Sequence, residues 1–216
     1  MNISMSHGRG PDRAAMGHDV RRIRQCALWS AVLAISMAAA SRDAAAQASC
    51  TGPNGQVVTG VGSFVCGSNA TASSAGGNAT AFGNQSSATA VGAAAVGAGA
   101  ATNGLQATAV GTQVQANGIG ATPLGAQSRA NAAGALAVGG FVDLDGDGAF
   151  DTNENTAASF ANATAIGNNA QVSAAGGSAF GNQSRAAGNA VAVGLAATVT
   201  QTNAVAVGQG AGGTHP

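Results

Sequence analysis

The chain has 216 residues, of which 7% are charged and 3% aromatic, with 34 glycines and a formal net charge of zero. Such sparse charge leaves no basic track for nucleic acid. Beyond residue 48 a single histidine, His215, remains, so no His/Cys/Asp constellation exists for nucleophilic or metal-hydrolytic chemistry and an enzyme is not expected.

The first predicted element is a secretory leader over residues 1–48. Arg21, Arg22 and Arg24 precede an apolar run from Ala27 to Ala40, and Ala46-Gln47-Ala48 offers a small-x-small cleavage site. The apolar run is too short for a membrane-spanning helix. The chain beyond the leader carries Arg129 and Arg185 against Asp143, Asp145, Asp147, Asp151 and Glu154, a net charge of −3. No membrane span is predicted in it.

Residues 49–67 follow as a glycine-rich N-terminal cap with two cysteines, Cys50 and Cys66. In an exported chain an isolated pair defaults to a disulfide, because the compartment is oxidising. Closing a loop of about 15 residues contributes roughly 3 kcal/mol in the chain-entropy model. The alternative is two free thiols.

Residues 68–139 repeat. An apolar residue followed by glycine stands at Phe82-Gly83, Val96-Gly97, Val110-Gly111, Leu124-Gly125 and Val138-Gly139, at intervals of fourteen. A period this short suits one turn of a coiled parallel β-solenoid, an all-β fold. A disordered Ala/Gly-rich tail is the alternative for so simple an alphabet, and kept register argues against it.

Alternation along a strand sets the expected faces. The residue before each glycine is large and apolar and is read as the core row. Two and four before it stand alanines (Ala81, Ala95, Ala109, Ala137 and Ala79, Ala93, Ala107, Ala121), read as an outward ribbon that sister chains must cover. In the second half of each turn, Gln85 and Ser87, Gln113 and Gln115, and Gln127 and Arg129 alternate with Ser86, Ala88, Val114, Ala116 and Ala130, polar out and small in. Arg129 and Arg185, on that wet face, are candidates for partner contact.

Residues 140–160 interrupt the repeat with an acidic insert. Asp143, Asp145 and Asp147 occupy positions 1, 3 and 5 of a twelve-residue calcium loop, with Gly148 at 6, Asp151 at 9 and Glu154 at 12. A bound Ca2+ would take side-chain oxygens from these five acids and the carbonyl of Ala149. The flanks, Gly139 to Val142 and Ala157 to Phe160, read as strand or loop rather than paired helices. A solvated acidic loop is the alternative.

Residues 161–216 resume the repeat at Ile166-Gly167 and Phe180-Gly181, slip by one residue to Val193-Gly194, and recover at Val207-Gly208. Three Asn-Ala-Thr sequons, at Asn69, Asn78 and Asn162, are attributed to repetition of a small alphabet.

The turns Asn78-Ala-Thr-Ala-Phe-Gly83, Asn162-Ala-Thr-Ala-Ile-Gly167, Asn189-Ala-Val-Ala-Val-Gly194 and Asn203-Ala-Val-Ala-Val-Gly208 resemble the head repeat of YadA-type trimeric autotransporter adhesins. The resemblance covers roughly residues 67 to 212. It implies a left-handed parallel β-roll, a homotrimer, and display at the bacterial cell surface or outer membrane, or release outside the cell. It also implies attachment to a host extracellular-matrix protein or to cells, or self-aggregation. Alanine stands where the family has serine after each of those asparagines. No heptad stalk or C-terminal strand set follows Pro216, so the resemblance is to a head alone. A secreted calcium-binding solenoid of a matrix, or a polysaccharide- or ice-binding structural protein, is the second reading, with Thr80, Thr108, Thr122 and Thr164 on one row.

Overall fold

The computed structural model describes residues 48–49, 55–151 and 153–213. The predicted leader apart from Ala48, together with Cys50 and the last three residues, lies outside the described residues.

The chain coils into two parallel sheets of eleven strands each, with alternate strands in sequence going to alternate sheets. Strands of the first sheet precede the repeated glycine, as in Ala94–Val96 and Thr108–Val110. Those of the second sheet follow it, as in Ala101–Thr102 and Gln115–Ala116. Each strand pairs with the equivalent strand one turn on, so Ala95 faces Ala109 and Ala109's successor Val110 faces Leu124. A fourteen-residue coil has room for two short strands and two tight corners. The predicted solenoid is present.

The expected assignment of faces in the first sheet is reversed. Ala81, Ala95, Ala109, Ala137, Ala165, Ala179 and Ala192 are fully buried, as are Ala79, Ala107, Ala121, Ala163 and Ala190. These alanines are the core, not an outward ribbon. The large residues before each glycine are the ones that point out: Phe82 is 51% exposed, Leu124 45% and Val207 70%, with Val96, Val138, Ile166, Phe180 and Val193 half-buried. The physical reason is the shortness of the turn. Two sheets joined by such tight corners lie too close for anything larger than a methyl or an isopropyl group, and bulkier side chains would leave no low-energy rotamer.

The second sheet follows the expected pattern. Ser86, Ala88, Val114, Ala116, Ser128 and Ala130 are buried, while Gln85 and Gln113 are exposed and Ser87, Gln115, Gln127 and Arg129 lie between. Three buried serines are satisfied locally: Ser86, Ser128 and Ser184 each donate through Oγ to the carbonyl of the glycine three residues earlier, at 2.8–2.9 Å. A hydroxyl is thus tolerated in a dry core because its partner is built into the same corner.

The repeated glycine is required by the stacking of corners. At Gly111, φ is 137°, and a Cβ there would lie 2.7 Å from the carbonyl of Gly125 on the next turn. The N–H of Gly111 donates to Val96 O at 2.8 Å, closing the ladder through the corner.

Irregular spacings are absorbed at corners. The stack begins earlier than the predicted repeat: Val57–Thr59 and Phe64–Cys66 already pair with the following turn, so much of the predicted cap is solenoid. Its corner glycine, Gly67, lies against Gly83 sixteen residues on, a spacing that hides it from a fourteen-residue search. The one-residue slip falls in the corner at Ala187 and Gly188. There Arg185 pairs with Thr198, thirteen residues on, without loss of register.

The acidic insert leaves the roll after Gly140 and returns at Asn155. Thr156 N–H donates to Gly140 O at 3.2 Å and Val142 N–H to Glu154 O at 2.9 Å, forming a neck. Thr156 Oγ1 also reaches the carbonyls of Gly140 and Gly167, at 2.8 and 2.7 Å. Arg129 then pairs with Ala157 as if nothing intervened. The excursion spans residues 141–154, one repeat in length, and adds no rung.

Candidate functional site

Two surfaces stand out, an apolar face and an acidic loop. The apolar face is the outer side of the first sheet. One column is the row from Phe82 to Val207; the other, two residues earlier, reads Thr80, Ala94, Thr108, Thr122, Leu136, Thr164, Ser178, Val191 and Val205. The four threonines of the ice-binding alternative lie in this second column, interrupted by alanine, leucine and valine. Isolated exposed apolar residues are ordinary, but a contiguous column repeated on every turn marks an interface.

The acidic loop is organised by its own backbone. Asp143 accepts from Gly146 N–H at 2.6 Å and from Gly148 N–H at 2.9 Å, and Asp147 accepts from Ala149 N–H at 2.7 Å. Glu154, buried at the neck, accepts from Leu144 N–H at 2.7 Å through one oxygen and from Asp151 N–H at 3.0 Å through the other. The sequence alone left Glu154 as the last ligand of a loop; its position also makes it the clasp that closes that loop.

The carboxylates of Asp143, Asp145 and Asp147 bring one oxygen each within 4.8 Å of one another. An ion taking oxygens at about 2.4 Å spans that distance. The three aspartates could therefore hold a metal ion. The side-chain oxygens of Asp151 and Glu154 fall outside this group. The amides of Gly148 and Gly146 hold Asp143 below the usual carboxylate range. Asp151 is pushed up by local desolvation and then by the charges of Glu154, Asp145 and Asp147. That repulsion is what a bound cation would relieve.

The two arginines have different surroundings. Arg129 places its guanidinium 5.6 Å from the centre of the Phe150 ring, and Phe150 meets Phe141 edge-on with centroids 6.0 Å apart. Arg129 thus fastens the excursion to the roll. Arg185 is exposed, and among the described residues nothing engages its guanidinium. Cys66 is disulfide-bonded; its expected partner Cys50 is not among the described residues.

No helix among the described residues is long and apolar enough to cross a membrane. A stack of fourteen-residue coils with a methyl core, glycine corners and an apolar outer face defines a parallel β-solenoid. The YadA head domain repeat matches residues 74–100, 158–184 and 186–211. Over those three stretches the chain is similar to the heads of YadA-like proteins, a family of cell-surface adhesins. The acidic excursion lies outside the matched stretches. No curated protein matches the chain.

Proposed function

We propose that three copies of this chain pack through the apolar outer face of the first sheet, as left-handed rolls around one axis. The assembly is exported, reaches the cell surface or the medium, and attaches to a host matrix protein, to cells or to like heads. The observation that carries this reading is the column from Phe82 to Val207, which offers a large apolar side chain to solvent on nearly every turn. Burying such a column against sister chains gains about 25 cal/mol per Å² of apolar surface removed from water. Alanine in place of the family serine does not touch this face, because that position is buried in the core. Sedimentation of the leader-free chain at micromolar concentration tests the assembly: a species of three copies is expected, and a compact single copy would remove it.

Two smaller assignments accompany this one. The excursion binds Ca2+ through Asp143, Asp145 and Asp147, with Asp151, Glu154 and the Ala149 carbonyl completing the shell on closure. Oxygen-only ligands and the mutual repulsion at Asp151 favour a hard divalent cation. Calorimetry with calcium should give saturable heat, and none at millimolar metal would leave a solvated acidic loop. Cys50 pairs with Cys66, supported by the register of Ala48–Ser49, in which Ser49 faces Val65. Mass spectrometry of the non-reduced chain after proteolysis reads that link directly.

A further inference from the structure

The second sheet carries a recess of about 500 Å³ across four consecutive strands, Ala157–Ala158, Gln171–Val172, Arg185–Ala186 and Thr198–Val199. Asn153 and Asn155, at the foot of the acidic excursion, border it, and Phe160, Ser173 and Thr200 contribute from the corners. The recess is open to solvent, and its volume falls within the range of small-ligand sites.

The border is fixed before any ligand arrives. Gln171 Nε2 donates to Asn153 O at 2.8 Å, and the buried Asn155 reaches Gln127 O through Nδ2 at 3.4 Å. Arg185 lines the recess from its strand. Of the two cations beyond residue 48, Arg129 is spent on Phe150, whereas Arg185 has its five donors free among the described residues. A guanidinium at a polar recess without an acid partner selects a carboxylate, which it grips with two parallel hydrogen bonds. Phe160 leaves 42% of its surface exposed there. An exposed ring beside hydroxyls and amides suits a pyranose, which has one C–H face and a rim of hydroxyls. A bare inorganic anion would leave the ring and the hydroxyls without work.

We propose that this recess is a binding site for an acidic saccharide, its carboxylate on Arg185 and its ring beside Phe160. Asp143, Asp147 and Glu154 turn oxygens to the excursion's own amides rather than to Arg185. The site is on the sheet away from the apolar face, so it goes beyond the attachment role and stands independently of the oligomer.

Titration of the full chain with a glucuronate-ended tetrasaccharide, held at constant calcium and followed by amide NMR shifts, tests it. The expected result is saturable binding, with shifts centred on the four strands of the recess. The carboxyl-reduced tetrasaccharide should bind the unmodified chain at least about tenfold more weakly, and Arg185→Gln should lose a similar factor for the acidic form alone. Phe160→Ala should weaken both sugars together. Equal affinity for the acidic and reduced sugars, an Arg185→Gln chain that binds unchanged, equal competition by a short acidic peptide, or no binding at millimolar sugar would each overturn the site. Comparing the two sugars needs no variant, so a misfolded substitution does not spare the proposal.

Discussion

Three positions in each turn have positive φ: five before the corner glycine, the glycine itself, and two after it, as at Gln85 and Gln113. Five before the corner glycine, Asn78, Asn162, Asn189 and Asn203 have φ between 51° and 63°, and glycine takes the same place at 92, 120, 134 and 176. Asparagine or glycine stands there in every turn except at Gln106, whose φ is 55°, because both tolerate this region, so the sequons at Asn78 and Asn162 follow a backbone requirement. Asn78→Gly should therefore leave the melting temperature nearly unchanged, whereas Asn78→Val, β-branched at positive φ, should cost about 1–3 kcal/mol by thermal unfolding. Gly111→Ala should be at least as costly, since the added carbon meets the Gly125 carbonyl as well. A neutral outcome at Gly111 would mean that the corners do not stack as described.

At the scale of the element, strand, corner ladder and excursion have separate supports. Ala109→Leu places three extra carbons between sheets that admit a methyl group, and should destabilise by roughly 1–3 kcal/mol in denaturant unfolding. Thr108→Leu, one residue away on the outer side, should cost much less. Along one corner, Thr89 donates to Asn103, Asn103 to Asn117 and Asn117 to Asn131 at 2.8–3.0 Å, a side-chain ladder parallel to the backbone one. The excursion relies on its neck and on Arg129. Arg129→Ala should raise hydrogen exchange across residues 141–151 while the flanking strands keep their protection, because Phe150 loses its cation. Asp147→Asn should weaken calcium binding in calorimetry without changing the unfolding of the roll, since Asp147 touches only the loop.

At the largest scale, eleven strands per sheet at about 4.8 Å make the described roll roughly 48 Å long. Its stability is spread over contacts between successive turns, as in other stacked repeats. The proposed assembly rests on its outer apolar column. Leu124→Asp puts a charge in the middle of that column, and should shift a sedimenting trimer toward single copies while far-UV circular dichroism stays that of a β-roll. An unchanged trimer would place the interface elsewhere.

The sequence by itself determined the period, the parallel stack and the wet face of the second sheet, and it showed where the acids of the insert crowd together. Each of these is written in residue type at fixed spacing: glycine at the corner, alternating polar and small residues after it, and acids at odd positions in the insert. Which face of the first sheet is the core was decided only by tertiary structure. Alternation fixes that alanine and the larger residue point to opposite sides but not which side is inside. The distance between the sheets, set by the corners, settles that in favour of the smaller side chain. The same holds for the recess at Arg185 and the clasp at Glu154. They join residues from four turns and from both ends of a loop, and no local spacing records such a meeting.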